Sequence, residues 1–166
     1  MMTRLLMACI GAISLCSPLV ADSAPKLTDQ INRRIPSQIV WHTNYDEALA
    51  EAQKDNKPLL LLFTGSDWCT WCMKLEEEAL STEAFSKAAS DKFVFVKLDF
   101  PSRAAQSHEE RRQNRGLKRR FHVRGFPTVL LVDKQEAILA ETGYEPGGGR
   151  AYAQHLMSKL GDHTTE

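Results

Sequence analysis

The chain is poor in features that mark several large protein classes. Lys plus Arg and Asp plus Glu each total 21 of 166 residues, a formal net charge of zero. No excess of either sign therefore points to nucleic acid, an anionic membrane surface or a strongly charged substrate. The sequence shows no internal repeat, and its one glycine cluster, Gly147, Gly148 and Gly149, lacks a phosphate-loop pattern and reads as a connector. Cysteine is scarce, with 4 in all. His42, His108, His122, His155 and His163 are scattered without ligand spacing, and no second cysteine pair completes a zinc site, so no metal and no cofactor is expected.

What is present begins with the N-terminus. Arg4 precedes an apolar run over 5–15, and small residues follow at Ala21, Ser23 and Ala24. This order reads as a secretory signal peptide over 1–24, cleaved after Ala21 or Ala24. Ser14, Ser17, Pro18 and Asp22 interrupt the stretch too early for an anchor of about 20 apolar residues, and Leu15 is too large for a lipid-attachment site at Cys16. An N-terminal extension over 25–40, a single domain over 41–161 and a tail over 162–166 complete the expected organisation. Removing the leader removes Cys9 and Cys16, so the mature chain keeps only Cys69 and Cys72. A loop this short stabilises little when closed, so the pair is better explained by chemistry than by stapling. Haem attachment would need His after the second cysteine, where Met73 stands; a plain structural disulfide is the remaining alternative.

Periodicity places the pair. Strong helix formers over 44–54, opened by Asn44, predict a helix with Tyr45, Ala48, Leu49 and Ala52 inward. The unbroken apolar run 59–63 predicts a strand buried on both faces and central in its sheet. Ser66 and Asp67 read as caps of a helix from Thr70 to about Glu78. A further helix over 82–89 leads to a second apolar strand over 93–99. Residues 101–120 hold seven Lys or Arg against two Glu and read as a solvated helix or loop, with a partner-docking surface as the alternative. A hairpin over 128–142 and a last helix over 150–160 follow. This order is an α/β arrangement, a mixed sheet covered on two sides by helices.

Disulfide exchange needs a thiolate that attacks and a second thiol near enough to release the mixed disulfide, and a spacing of three along a helix puts both on one face. At a helix start, unpaired N–H groups and the dipole can lower a thiol pKa from about 8.5 to roughly 3.5–7.5. Cys69 is the expected nucleophile and Cys72 the resolving thiol.

With Trp68-Cys69-Thr70-Trp71-Cys72 after a hydrophobic strand and Arg124-Gly125-Phe126-Pro127-Thr128 before the hairpin, the chain resembles the thioredoxin superfamily over roughly 40–161. Asn56-Lys57-Pro58 and Phe63-Thr64-Gly65-Ser66 add a likeness to secreted bacterial thioredoxin-like proteins, the DsbH type among them. The resemblance implies the thioredoxin fold, with the basic helical or loop stretch as an insertion before the strand opened by a cis Pro127. It also implies substrate contacts at Phe126 and Pro127. Trp68 and Trp71 read as an apolar face for flexible protein clients, Trp71 above all, with simple packing beside the helix start as the alternative. The match is incomplete in one place: a buried Asp is expected six residues before the first active cysteine, and Phe63 stands there. Lys97 matches the lysine that neighbours that acid, which makes it a candidate for tuning the Cys72 pKa, although a surface lysine at a strand end reads equally well.

The resulting expectation is a monomeric, periplasmic or secreted thiol-disulfide oxidoreductase that reduces disulfides in exported proteins and is recycled by an unidentified redox partner. The absence of a large helical insertion or a dimerisation domain argues against DsbA-like and DsbC-like molecules. A dithiol oxidase or isomerase, and a non-catalytic client-binding module, are the alternatives.

Overall fold

The computed structural model describes residues 38–161, so the expected leader over 1–24, the extension as far as residue 37 and the tail over 162–166 lie outside the described residues. The elements in order are β1 (Trp41–His42), α1 (Tyr45–Asp55), β2 (Leu59–Thr64) and α2 (Thr70–Leu75), which runs on into a π-helical turn (Glu76–Leu80). Then come α3 (Glu83–Ala89), β3 (Val94–Asp99), α4 (His108–Arg120), β4 (Thr128–Val132), β5 (Ile138–Thr142) and α5 (Gly148–Gly161). The strands form one mixed sheet in the order β1-β3-β2-β4-β5. β2 pairs parallel with β3 and antiparallel with β4, so it lies at the centre as its apolar run predicted.

All six residues of β2 are buried, and alternation along a strand divides them between two cores. Leu59, Leu61 and Phe63 join Tyr45, Ala48 and Ala52 of α1 and Leu117 of α4 on one face. Leu60 and Leu62 join Leu75 of α2, Phe85 of α3 and Tyr152 and Leu156 of α5 on the other. A strand covered on both faces has no use for polar alternation, which is why this segment reads as continuous leucine. α1 has the expected cap: the Asn44 side chain accepts from the Asp46 N–H at 3.0 Å. Its far end closes on Asn56, whose φ of 54° turns the chain and whose N–H donates to the Ala52 carbonyl.

The basic stretch is irregular over 101–107 and helical from His108. α4 buries Asn114 and Leu117 against the sheet and leaves Arg111, Arg112, Arg115, Arg119 and Arg120 exposed. The glycine cluster needs correction. Gly148 and Gly149 form the first turn of α5 instead of a connector, and Gly149 is there because the backbone of α3 comes too close for anything larger. A Cβ at 149 would lie 1.9 Å from Thr82 Oγ1 and 2.8 Å from the Phe85 nitrogen. Gly149→Ala should therefore lower stability by about 1–3 kcal/mol, read as a reduced midpoint of denaturant unfolding; an unchanged midpoint would contradict this packing.

Candidate active site

Cys69 and Cys72 meet at the junction of β2 and α2 and are joined as a disulfide, with Cα atoms 5.2 Å apart. Cys69 is itself the cap of α2: its Sγ accepts from the Cys72 N–H at 3.2 Å. That corrects the expectation that Ser66 and Asp67 cap this helix. The same N–H is placed to stabilise negative charge on the Cys69 sulfur once the disulfide opens. Both cysteines are buried, Cys69 slightly less so at 7% exposed against 3% for Cys72.

Ser66 and Asp67 serve a different purpose, tying the loop before the dithiol to the loop after β3. The Asp67 carboxylate accepts from the backbone N–H groups of Ser102, Arg103 and Ala104 at 2.8, 2.7 and 2.9 Å. These donors, Ser102 foremost, hold its pKa below the ordinary carboxylate value. Ser66 donates to both Asp99 oxygens, from N at 2.9 Å and from Oγ at 2.6 Å. The buried Asn114 of α4 donates to the Asp99 carbonyl at 2.9 Å, which carries the tie into the helix layer. Above this loop the Trp68 indole N–H donates to the Phe100 carbonyl at 2.8 Å. The ring covers Gly65 so closely that a Cβ there would sit 2.5 Å from it.

Aromatic side chains surround the dithiol. Trp68 meets Phe126 edge to face at 5.8 Å, which brings the segment beside Cys69 against the Phe126–Pro127 peptide, and that peptide is cis. Phe126 and Pro127 are half-buried, and the Lys118 ammonium lies 4.9 Å above the Phe126 ring. On the other side Trp71 is 56% exposed and packs on Tyr144 at 5.2 Å, with Lys74 over both rings at 5.2 Å. The Tyr144 hydroxyl donates to Glu78 at 2.5 Å. Trp68, Trp71 and Met73 are exposed, an apolar margin of the kind that contacts flexible polypeptide.

Lys97 alternates out of the face that holds Val96 and Leu98 and reaches the π-helical turn that continues α2, where its Nζ pairs with Glu76 at 3.2 Å. Phe63 lies in the opposite core, stacked on Phe100 at 6.5 Å. Lys97, Glu76 and Cys72 line one cleft of 330 Å³. Sequence reasoning passed over Asp99 and Glu76 and read Asp67 only as a cap. Only Glu76 carried a readable signal, since it stands four residues after Cys72 and so on the same helical face. Among the described residues, no group of three or more His, Cys, Asp or Glu side chains is placed to hold a metal ion.

A family model described as thioredoxin-like matches residues 40–134. The chain belongs to the thioredoxin-like family. It is 35% identical over 156 residues to the disulfide bond reductase DsbH of Chlamydia pneumoniae, a match spanning 92% of this chain and 93% of that protein. It is 34% identical over 148 residues to the thioredoxin-related protein DsbJ of the same species, spanning 89% of this chain but 40% of DsbJ. The solved structure of a DsbH oxidoreductase matches with a TM-score of 0.71 at 40% identity, over 75% of this chain and 85% of that one. Fold, relatives and the Cys69–Cys72 pair make this thioredoxin-like protein a thiol-disulfide oxidoreductase.

The Asp67 tie gives the family member a pH-sensitive loop. The folded pKa is depressed, so the contribution of the tie is complete above the ordinary value of 3.8 and is lost as pH falls through the lower folded value. Denaturant titrations between about pH 5 and about pH 2 should show a steeper loss of stability in the parent chain than in Asp67→Asn. Equal slopes would rule the tie out.

Proposed function

We propose that the chain is an exported disulfide reductase in which Cys69 attacks and Cys72 resolves. The observation that carries this reading is the placement of the pair: Cys69 caps α2 and its Sγ accepts the Cys72 N–H at 3.2 Å, while Cys72 lies one turn inside. Starting from the reduced dithiol, the Cys69 thiolate attacks a client disulfide, and one client sulfur leaves. The Cys72 thiolate then attacks Cys69 Sγ, expels the second client sulfur and leaves the Cys69–Cys72 disulfide. A donor dithiol returns the pair to the reduced state.

Trp71, Phe126 and Pro127 are the residues proposed to meet the client chain, supported by their position around the dithiol. Such clients are proteins carrying disulfides or thiols, engaged by a monomer. Export to the periplasm or beyond is supported by the leader pattern over 1–24 and by restriction of the mature thiols to one pair. No helix among the described residues is long and apolar enough to cross a membrane. The reductive direction is supported by likeness to a disulfide bond reductase over most of both chains.

Titration of the dithiol against glutathione or dithiothreitol should place its potential nearer the value of about −270 mV for thioredoxin than that of about −120 mV for DsbA. Cys69→Ser should abolish disulfide reduction, and Cys72→Ser should accumulate a mixed disulfide with the client. A potential near the oxidising end without reductase activity would reverse the direction. Full function in Cys69→Ser would leave only the client-binding reading.

A further inference from the structure

The resolving step has a requirement that Cys69 does not share. Cys72 must lose its proton before it can attack, yet it is 3% exposed and so poorly placed to give that proton to bulk water. The side chain six residues before Cys69, Phe63, carries no base and belongs to the other core. The cleft beside Cys72 holds three charged side chains: Glu76 and Glu77 from the turn after α2, and Lys97 from β3. Ser66 and Ser81 also line it, and Ser66 is engaged by Asp99 just beyond. Glu77 is exposed and five residues from Cys72. Glu76 is half-buried, its N–H donates to the Cys72 carbonyl, and at a spacing of four it lies over the same face of the helix.

The backbone at Glu76 is also unusual. The π-helical turn starts there, and the Glu76 carbonyl accepts from Ser81 twice, from N at 2.9 Å and from Oγ at 2.6 Å. One-turn widenings of this kind recur at functional sites. On the far side of the cleft, Lys97 Nζ holds the Glu76 carboxylate at 3.2 Å.

We propose that Glu76 accepts the proton of Cys72 during the resolving step, and that Lys97 is the positioning residue that keeps its carboxylate at the cleft. The inference rests on Cys69 as nucleophile and Cys72 as resolving thiol. In the mixed disulfide, the Cys72 S–H bond breaks and its proton passes to the Glu76 carboxylate through the cleft, whose 330 Å³ has room for bridging water. The sulfur electron pair forms the bond to Cys69 Sγ, and the bond from Cys69 to the client breaks. The client sulfur leaves as a thiolate and takes up a proton, from water or from Glu76. Two electrons have passed from the dithiol to the client, and no further reductant is needed within the turnover.

The test is a rapid-mixing, acid-quench experiment on the reduced mature chain with a peptide disulfide, following formation and decay of the mixed disulfide from pH 5 to about 9. Glu76→Gln should leave formation unchanged and slow decay at least about tenfold at neutral pH. Its decay should rise only towards the ordinary thiol pKa of about 8.5. Glu76→Asp should recover part of the rate. Lys97→Met should slow decay less, and adding it to Glu76→Gln should cost nothing further. Because Lys97→Met keeps the acid, it supplies an independent reading should Glu76→Gln unfold. Decay in Glu76→Gln with the parent rate and pH profile would overturn the proposal, as would equal slowing of formation and decay, the mark of a structural role. Failure of the parent chain to form any mixed disulfide would instead overturn the assignment of Cys69 and Cys72.

Discussion

Every side chain from Leu59 to Thr64 is buried, three of the leucines and phenylalanines against α1 and α4 and two against the layer of α2, α3 and α5. Among the described residues no other strand is hydrogen-bonded to both β3 and β4, so the position of everything that leaves its C-terminal end is set by this double burial. Gly65 follows at once because the Trp68 indole lies where a Cβ would be. The dithiol begins four residues further on. A displaced β2 would therefore disturb both cores and the active-site loop together.

The loop that carries Cys69 is held by partners far away in sequence. Asp67 and Trp68 reach the segment Phe100 to Ala104, and Asp99 links that segment to Ser66 on one side and to Asn114 on the other. Hydrogen bonds made by one carboxylate to several backbone donors fix orientation more firmly than a single contact does. The reacting sulfurs thus sit on a rigid base, while the apolar margin above them, Trp71 and Met73, stays open to solvent. A rigid centre with an apolar, undemanding margin suits an enzyme that must recognise a disulfide more than the chain bearing it.

The parts of this structure legible in sequence were those governed by local periodicity. The apolar run of β2, the Asn44 cap and the two-cysteine spacing at a helix start all follow from residues within a turn or two of one another. The cis peptide before Pro127 was legible through family resemblance alone, since composition and spacing do not distinguish it. Contacts between distant segments were not legible. Ser66 and Asp67 had the chemistry of caps, yet their partners lie 33 to 37 residues away, and the sulfur of Cys69 took the cap position. Gly149 looked like a linker because nothing in its own segment reveals that Thr82 and Phe85 come within contact distance. Lys97 was singled out by resemblance, but its partner, Glu76, is supplied by the opposite helix layer and not by the strand position that resemblance emphasised.

Phe63 also constrains the routes by which such an enzyme can change over generations. Its ring is wholly buried and stacked with Phe100, which in turn lies against Phe126 at 5.0 Å. A carboxylate introduced there would enter an aromatic stack whose outer rings, Phe100 and Phe126, already hold the Lys118 ammonium at 5.9 and 4.9 Å, while Lys97 is paired with Glu76 on the other face of the sheet. Burying an unpaired charge costs several kcal/mol, about as much as a small domain has to spare. An acid at position 63 is thus a costly single step while the rings around it keep their places. A chain built around this stack therefore keeps an apolar residue at position 63 unless its ring neighbours change with it.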